Sequence, residues 1–285
     1  MKTISMFFFL SMVLWVCGCH GKEKVTPSDN SIHSTNLITN YWNEIDFNSS
    51  VMRDSDFIEQ KFANFTQALI LINDSAIRKE AAHNLMKKAE TDTAIYRNFA
   101  NLAYHYLYDP NSPFLDEESY IPFLEIFSES GFIDEAQRGR NKFLLEAALK
   151  NRPGNLAADF PYITREGENK TLYTTPVKGE LLLIFYDPDC ENCKKIISFL
   201  MEDSHLNEMI SKNELTVLAI YSGEEKELWM ETAHTLPSSW IVGYDPGVID
   251  EEDSYYFRAT PTLYLLDKEK KVIVKDLSPS LLINP

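Results

Sequence analysis

At 285 residues the chain is long for one compact domain and comfortable for two. Its composition is globular, with 44% hydrophobic and 25% charged residues, and its net charge of −16 argues against nucleic acid as a partner. Of the 4 cysteines, Cys17 and Cys19 fall near the start, so the body holds a single pair, Cys190 and Cys193, and is no disulfide-rich secreted scaffold.

Lys2 is followed by an almost unbroken apolar run from Ile4 to Val16. The run is shorter than the roughly 20 residues that span a bilayer and suits the apolar core of a signal peptide. The sequence Val16-Cys17-Gly18-Cys19 resembles a bacterial lipobox, and the small Gly18 favours cleavage before Cys19. The expectation is a lipoprotein signal over 1–18, lipidation of Cys19, and a polar tether over 19–40. An ordinary secretory signal is the alternative. Either way the mature chain works outside the cytoplasm, facing the periplasm, where disulfide chemistry is possible.

From 41 to 150 the apolar spacing is helical. Ile58, Phe62, Phe65, Leu69 and Ile72 follow Asp54 and Ser55 as capping residues. Ile77, Ala81, Leu85 and Ala89 predict a second helix, and Ile95, Phe99, Leu102 and Tyr106 a third. Asp109-Pro110-Asn111-Ser112-Pro113 is a turn. Two more helices are expected over Glu117–Ser130 and Asp134–Leu149. His83 and His105 are expected on solvated faces, and no metal-ligand spacing occurs.

Asn151-Arg152-Pro153-Gly154-Asn155 breaks the pattern, so a second domain is expected over 154–285. It opens with a short strand, a turn at Glu166–Asn169 and a strand near Thr171–Thr174. Leu181–Tyr186 is a continuous apolar run, as in a central strand buried on both faces. It leads into Asp187-Pro188-Asp189-Cys190-Glu191-Asn192-Cys193 and a helical stripe at Ile196, Leu200 and Ile210. A cysteine at a helix N-terminus has its thiolate stabilised by free N–H groups and the dipole. Cys193, one turn on, can close a small disulfide with it. Cys190 is thus expected as nucleophile and Cys193 as resolving thiol. Zinc sites also use this spacing, but no second cysteine pair or His cluster completes one. Further on come a strand at Leu215–Tyr221, a helix around Glu224–His234 and a strand near Trp240–Tyr244. Thr260-Pro261-Thr262 then opens Leu263–Leu266, and Lys271–Val274 follows as a hairpin partner. Proline at a strand start needs a reason, because it cannot donate to the ladder.

Residues from about Gly154 to Ile273 resemble the TlpA/ResA branch of the thioredoxin superfamily. The resemblance rests on Ala158-Asp159-Phe160, Lys178-Gly179, the Cys190–Cys193 motif and Thr260-Pro261-Thr262. The strings Tyr106–Pro113 and Tyr120-Ile121-Pro122 resemble a helical domain of unknown function found before such domains in bacterial lipoproteins. The resemblance implies an α/β fold: a thioredoxin-like domain, with a mixed central sheet flanked by helices, preceded by an all-α domain. It implies a cis Pro261 beside the cysteines, with the Thr260 backbone free to pair with an extended substrate. It further implies extracytoplasmic disulfide exchange with client proteins, electrons from a membrane thiol carrier, and no cofactor.

Several departures accompany it. The tryptophan usual before the first cysteine is Asp189, and the family's buried acids are replaced by Ile184 and Ile196. Asp187, Asp189 and Glu191 are the candidate bases by proximity alone. The family's C-terminal helix is missing after Leu277, so either the helical half covers that sheet face, which is preferred, or apolar surface is exposed. Asp189 and Glu191 should keep the Cys190 pKa from falling far, which predicts a reductant or isomerase with a potential nearer thioredoxin's, about −270 mV, than DsbA's, about −120 mV. Two alternatives stay open: a binding or scaffold lipoprotein with a non-catalytic disulfide, and a thiol peroxidase-like protein. Against the latter, Asp187 stands where a peroxidase has threonine.

Overall fold

The structure, a computed structural model, describes residues 36–277. The expected signal segment, Cys19 and the proposed lipidation lie outside the described residues. Among the described residues no helix is long and apolar enough to cross a membrane.

The first half is helical. Helices α1 (Ser55–Leu69), α2 (Ser75–Ala89), α3 (Thr93–Leu107), α4 (Glu117–Glu129) and α5 (Glu135–Ala148) follow one another. Each starts on an aspartate, Asp54, Asp74, Asp92, Asp116 and Asp134, whose side chain accepts from a first-turn N–H. Such caps satisfy donors that the helix itself cannot. Ile58, Phe62, Phe65 and Leu69 of α1 are buried with Leu85 and Phe99, and Trp42 packs on Phe99 at 5.1 Å. In α3 the buried stripe is Tyr96, Phe99, Ala103 and Leu107. Ile95, Leu102 and Tyr106 are only partly buried against it, so the expected face is rotated by about one residue. Pro122 lies inside α4, where it cannot donate to the Glu118 carbonyl. His83 and His105 are exposed.

The second half is built on a seven-stranded mixed sheet of order β2-β1-β5-β4-β3-β6-β7. The strands are β1 (Pro161–Thr164), β2 (Asn169–Thr171), β3 (Glu180–Tyr186), β4 (Leu215–Tyr221), β5 (Ile241–Tyr244), β6 (Thr262–Leu266) and β7 (Val272–Val274). Helices α6 (Glu191–Glu202), α7 (Ser204–Ser211), α8 (Lys226–Thr232) and α9 (Val248–Glu251) connect them. β3, β4 and β5 are parallel, while β1, β6 and β7 run antiparallel to their neighbours. β3 alternates strictly: Leu182, Ile184 and Tyr186 join the core under α6 to α8, and Leu181, Leu183 and Phe185 join the opposite core. Double-sided burial explains why the strand reads as an unbroken apolar run. Gly179 enters it at φ +68, and a Cβ there would collide with the Glu214 carbonyl.

Two expectations are corrected, and one helix is added. β2 is Asn169–Thr171, because the Thr171 and Thr174 hydroxyls fold the following residues into a turn. The helix after the cysteines breaks at Asp203, whose extended backbone and carboxylate start α7. Helix α9, which periodicity misses, follows Pro246-Gly247, and its first N–H groups donate back to the Asp245 carboxylate. The sheet face opposite α6 is covered by residues of its own half. Ala157, Phe160, Leu172, Ile249 and Tyr255 are buried there with Leu183, Phe185 and Tyr264.

The helical half docks at the sheet's margin. Lys150 pairs with Asp253 at 2.5 Å, Arg152 forms a two-pronged pair with Glu118 at 2.9 and 2.6 Å, and Phe143 meets Tyr256 edge-on at 5.5 Å.

Candidate active site

β3 ends at Tyr186, and the chain turns through Asp187-Pro188-Asp189 into α6. The Asp187 carboxylate accepts from the Asp189 N–H at 2.8 Å, and its carbonyl accepts from the Cys190 N–H at 3.2 Å. This aspartate turn is the local reason that Cys190 arrives at the helix N-cap. There its sulfur accepts from the Cys193 N–H at 3.3 Å. Cys190 is partly exposed, whereas Cys193 is buried in the core beneath α6, and both are free thiols.

The Thr260–Pro261 peptide bond is cis. It brings two groups of Thr260 to Cys190: the carbonyl and the hydroxyl oxygen each lie 3.6 Å from the sulfur. Asn192 adds a third link, donating its side-chain amide to the Thr260 carbonyl at 3.4 Å. Cys190, Cys193, Thr260 and Pro261, singled out in the sequence, thus converge across two strands.

The two thiols differ in acidity. Burial alone would raise the Cys190 pKa. Hydrogen bonds from the Cys193 thiol and N–H, the Thr260 hydroxyl and the Asn192 N–H outweigh it and hold the thiol below its ordinary range. Burial pushes the Cys193 thiol up to about 12, against a bond from the Asp187 main chain. A thiolate therefore forms first at the exposed sulfur.

Two of the acidic neighbours are engaged, Asp187 in the turn itself and Glu191 with a lysine. Glu191 pairs with Lys194 at 3.1 Å, and this hydrogen bond, with the more distant charges of Asp189 and Asp187, raises the Lys194 pKa. Lys194 was not expected at the site; its cation offsets the acids that the sequence sets around Cys190. Ile184 and Ile196 stand in and against the apolar core beneath α6. Asp187 reaches Cys193 through its main chain. Beside the motif a cavity of about 340 Å³ is lined by Tyr186, Pro188, Lys194, Ile197 and Leu236. Among the described residues no group of three His, Cys, Asp or Glu side chains gathers as a metal site would require.

Residues 29–151 match a family described as a domain of unknown function, DUF5106. A thioredoxin-like protein from Bacteroides caccae is 31% identical, with a TM-score of 0.78, over 95% of this chain and 97% of its own. A conserved protein of unknown function from Bacteroides fragilis is 42% identical over 47% of this chain and 97% of its own, with a TM-score of 0.44. The C-terminal domain of an uncharacterized protein from the same species is 36% identical over 46% of this chain and 94% of its own, with a TM-score of 0.45. No curated protein matches the chain. On the first of these structures, similar over nearly its whole length, and on the helical match that precedes the sheet, the chain belongs to the thioredoxin superfamily as a thioredoxin-like protein with an N-terminal helical domain.

Proposed function

We propose that this protein is an extracytoplasmic thiol–disulfide oxidoreductase that reduces or isomerises client disulfides through Cys190 and Cys193. The observation that carries this reading is the asymmetry of the pair: an accessible, acidified Cys190 beside a buried Cys193 whose pKa is pushed up to about 12. The Cys190 thiolate attacks one sulfur of a client disulfide. An S–S bond forms between them, and the second client sulfur leaves as a thiolate that takes a proton. Cys193 then gives up its proton and attacks the Cys190 sulfur. The client departs with both sulfurs as thiols, two electrons richer, and the protein is left with a Cys190–Cys193 disulfide. In isomerisation a client thiol resolves the mixed disulfide instead. The Thr260 backbone, whose carbonyl lies 3.6 Å from the Cys190 sulfur, is the docking place for an extended client segment on this reading.

Cys190 is stabilised by uncharged donors, and Asp187, Asp189 and Glu191 supply no positive charge. A thiolate held this way favours the reduced state less than one held by a cation, so the reading is a reductant or isomerase. Its potential is expected nearer about −270 mV than about −120 mV, and titration against glutathione buffers that gives an oxidant-like value removes this direction. Lipidation at Cys19 would tether the chain to a membrane facing the periplasm, with a membrane thiol carrier restoring the dithiol. Cys19→Ser should then move the protein from the membrane to the soluble fraction.

The deciding measurement is insulin reduction by the full-length protein. Cys190→Ser should abolish it, and turnover that survives would favour a scaffold with an incidental dithiol. Cys193→Ser should accumulate mixed disulfides through Cys190, from which mass spectrometry identifies the clients.

A further inference from the structure

The segment before the cis peptide is held from two sides. Tyr255 is buried in the sheet and donates its hydroxyl to the Ala158 carbonyl at 2.7 Å, and Phe257 packs on Phe185 at 4.7 Å. The next residue, Arg258, faces the helical half. Its guanidinium donates to the Tyr108 carbonyl at 3.0 Å, at the end of α3, and to Glu117 at 2.8 Å, the first residue of α4. It also lies 3.9 Å from the Tyr108 ring centre and 3.1 Å from Asp276. Lys275 completes the group, donating to the second Glu117 oxygen at 2.6 Å and to the carbonyls of Ala147, Ala148 and Lys150 at the end of α5.

Arg258, Lys275 and Glu117 have side chains only 10%, 7% and 13% exposed. A planar fork bonded at this depth fixes orientation as well as distance, because every misplaced bond leaves a buried charge unpaired. Two residues beyond Arg258 stands Thr260, whose carbonyl and hydroxyl meet the Cys190 sulfur.

We infer that Arg258 is a positioning residue of the dithiol site, through which the helical half holds the Thr260–Pro261 turn against Cys190. The helical half is on this account a brace for the redox site as well as a separately packed unit. The inference rests on the proposed redox role of Cys190, but its main readout does not require turnover.

The test uses the reduced full-length protein. Arg258→Lys replaces the fork with a single nitrogen. Arg152→Lys loosens the neighbouring ion pair to Glu118 without touching the 257–261 segment. Cys190 alkylation by iodoacetamide is followed from pH 5 to 10, together with insulin turnover. Arg258→Lys should move the alkylation midpoint upward and slow the reaction at pH 7 by about threefold or more, since half a pKa unit changes the thiolate fraction by that factor. Turnover should fall with it, and Arg152→Lys should leave the midpoint where it is in the parent. A midpoint unmoved by Arg258→Lys, or moved equally by both variants, overturns the brace. If circular dichroism finds Arg258→Lys unfolded, Glu117→Gln is judged by the same criteria. A parent protein that reduces no insulin overturns the redox reading alone, because the alkylation midpoint still decides the brace.

Discussion

At the scale of single residues, the site separates two chemically identical groups by their surroundings. Cys190 keeps solvent access and gains hydrogen bonds at a helix N-terminus; Cys193, one turn later, is fully buried. Below its pKa a thiol gains about tenfold in thiolate per pH unit, so a group at about 12 is essentially protonated at pH 8. Of the pair, iodoacetamide at pH 8 should therefore label Cys190 and not Cys193 in the folded dithiol, with Cys193 reacting only after unfolding. Peptide mass mapping that finds both labelled at similar rates would contradict the assignment. The cysteines and Pro261 were legible in the sequence because their spacing and strand boundaries are local signals. The roles of Asn192 and Arg258 were not, and Lys194 was passed over although Glu191 stands only three residues before it. Asn192 meets Thr260 across 68 positions, and Arg258 meets Glu117 across 141. Nothing in their own neighbourhoods encodes those partners.

At the scale of elements, capping chemistry decides where helices begin, including the one that was missed. Asp245 is fully buried and accepts from the Val248 and Ile249 N–H groups of α9. Burial raises its carboxyl pKa against those bonds. A carboxyl that holds its proton more tightly in the native chain than in the unfolded one favours folding less as pH rises between the two values. That window begins near the ordinary aspartate value of about 3.9 and runs up through the raised native one. Asp245→Asn keeps only one of the two accepting oxygens and sets an amide against the other N–H, so it should be destabilising, though less than loss of both acceptors. Asp245→Ala should cost about 1 kcal/mol. Urea denaturation at pH 5 and 7 checks both; an Asn variant less stable than the Ala variant would show that the charge itself is needed. β3 and β4 were legible because burial on two faces leaves an uninterrupted apolar signature. β2 was misplaced because the threonines that favour a strand at 171–174 spend their hydroxyls on a turn. The break at Asp203 was hidden because Leu200 and Leu206 continue an apolar face across it.

At the scale of the whole molecule, charge and docking act together. With 43 acidic against 27 basic residues, the chain repels acidic partners over about a Debye length. If it reduces client disulfides as proposed, reduction of an acidic disulfide peptide should speed up between 20 and 300 mM salt, and that of a basic one should slow. Stopped-flow rates that respond alike for both peptides would show that net charge does not govern the encounter. The two-part organisation was legible from the change of periodicity near Asn151. The buried ion group joining the halves was not, since Glu117, Arg258 and Lys275 each read as ordinary surface charge. The sheet's margins carry a further consequence. Its two outermost strands, β2 and β7, are only three residues long. Short edges give a foreign chain little to add a strand to. If the protein opens client disulfides as proposed, it would release loosened, sticky chains beside itself, and these two short edges would offer them little template on which to grow into an aggregate.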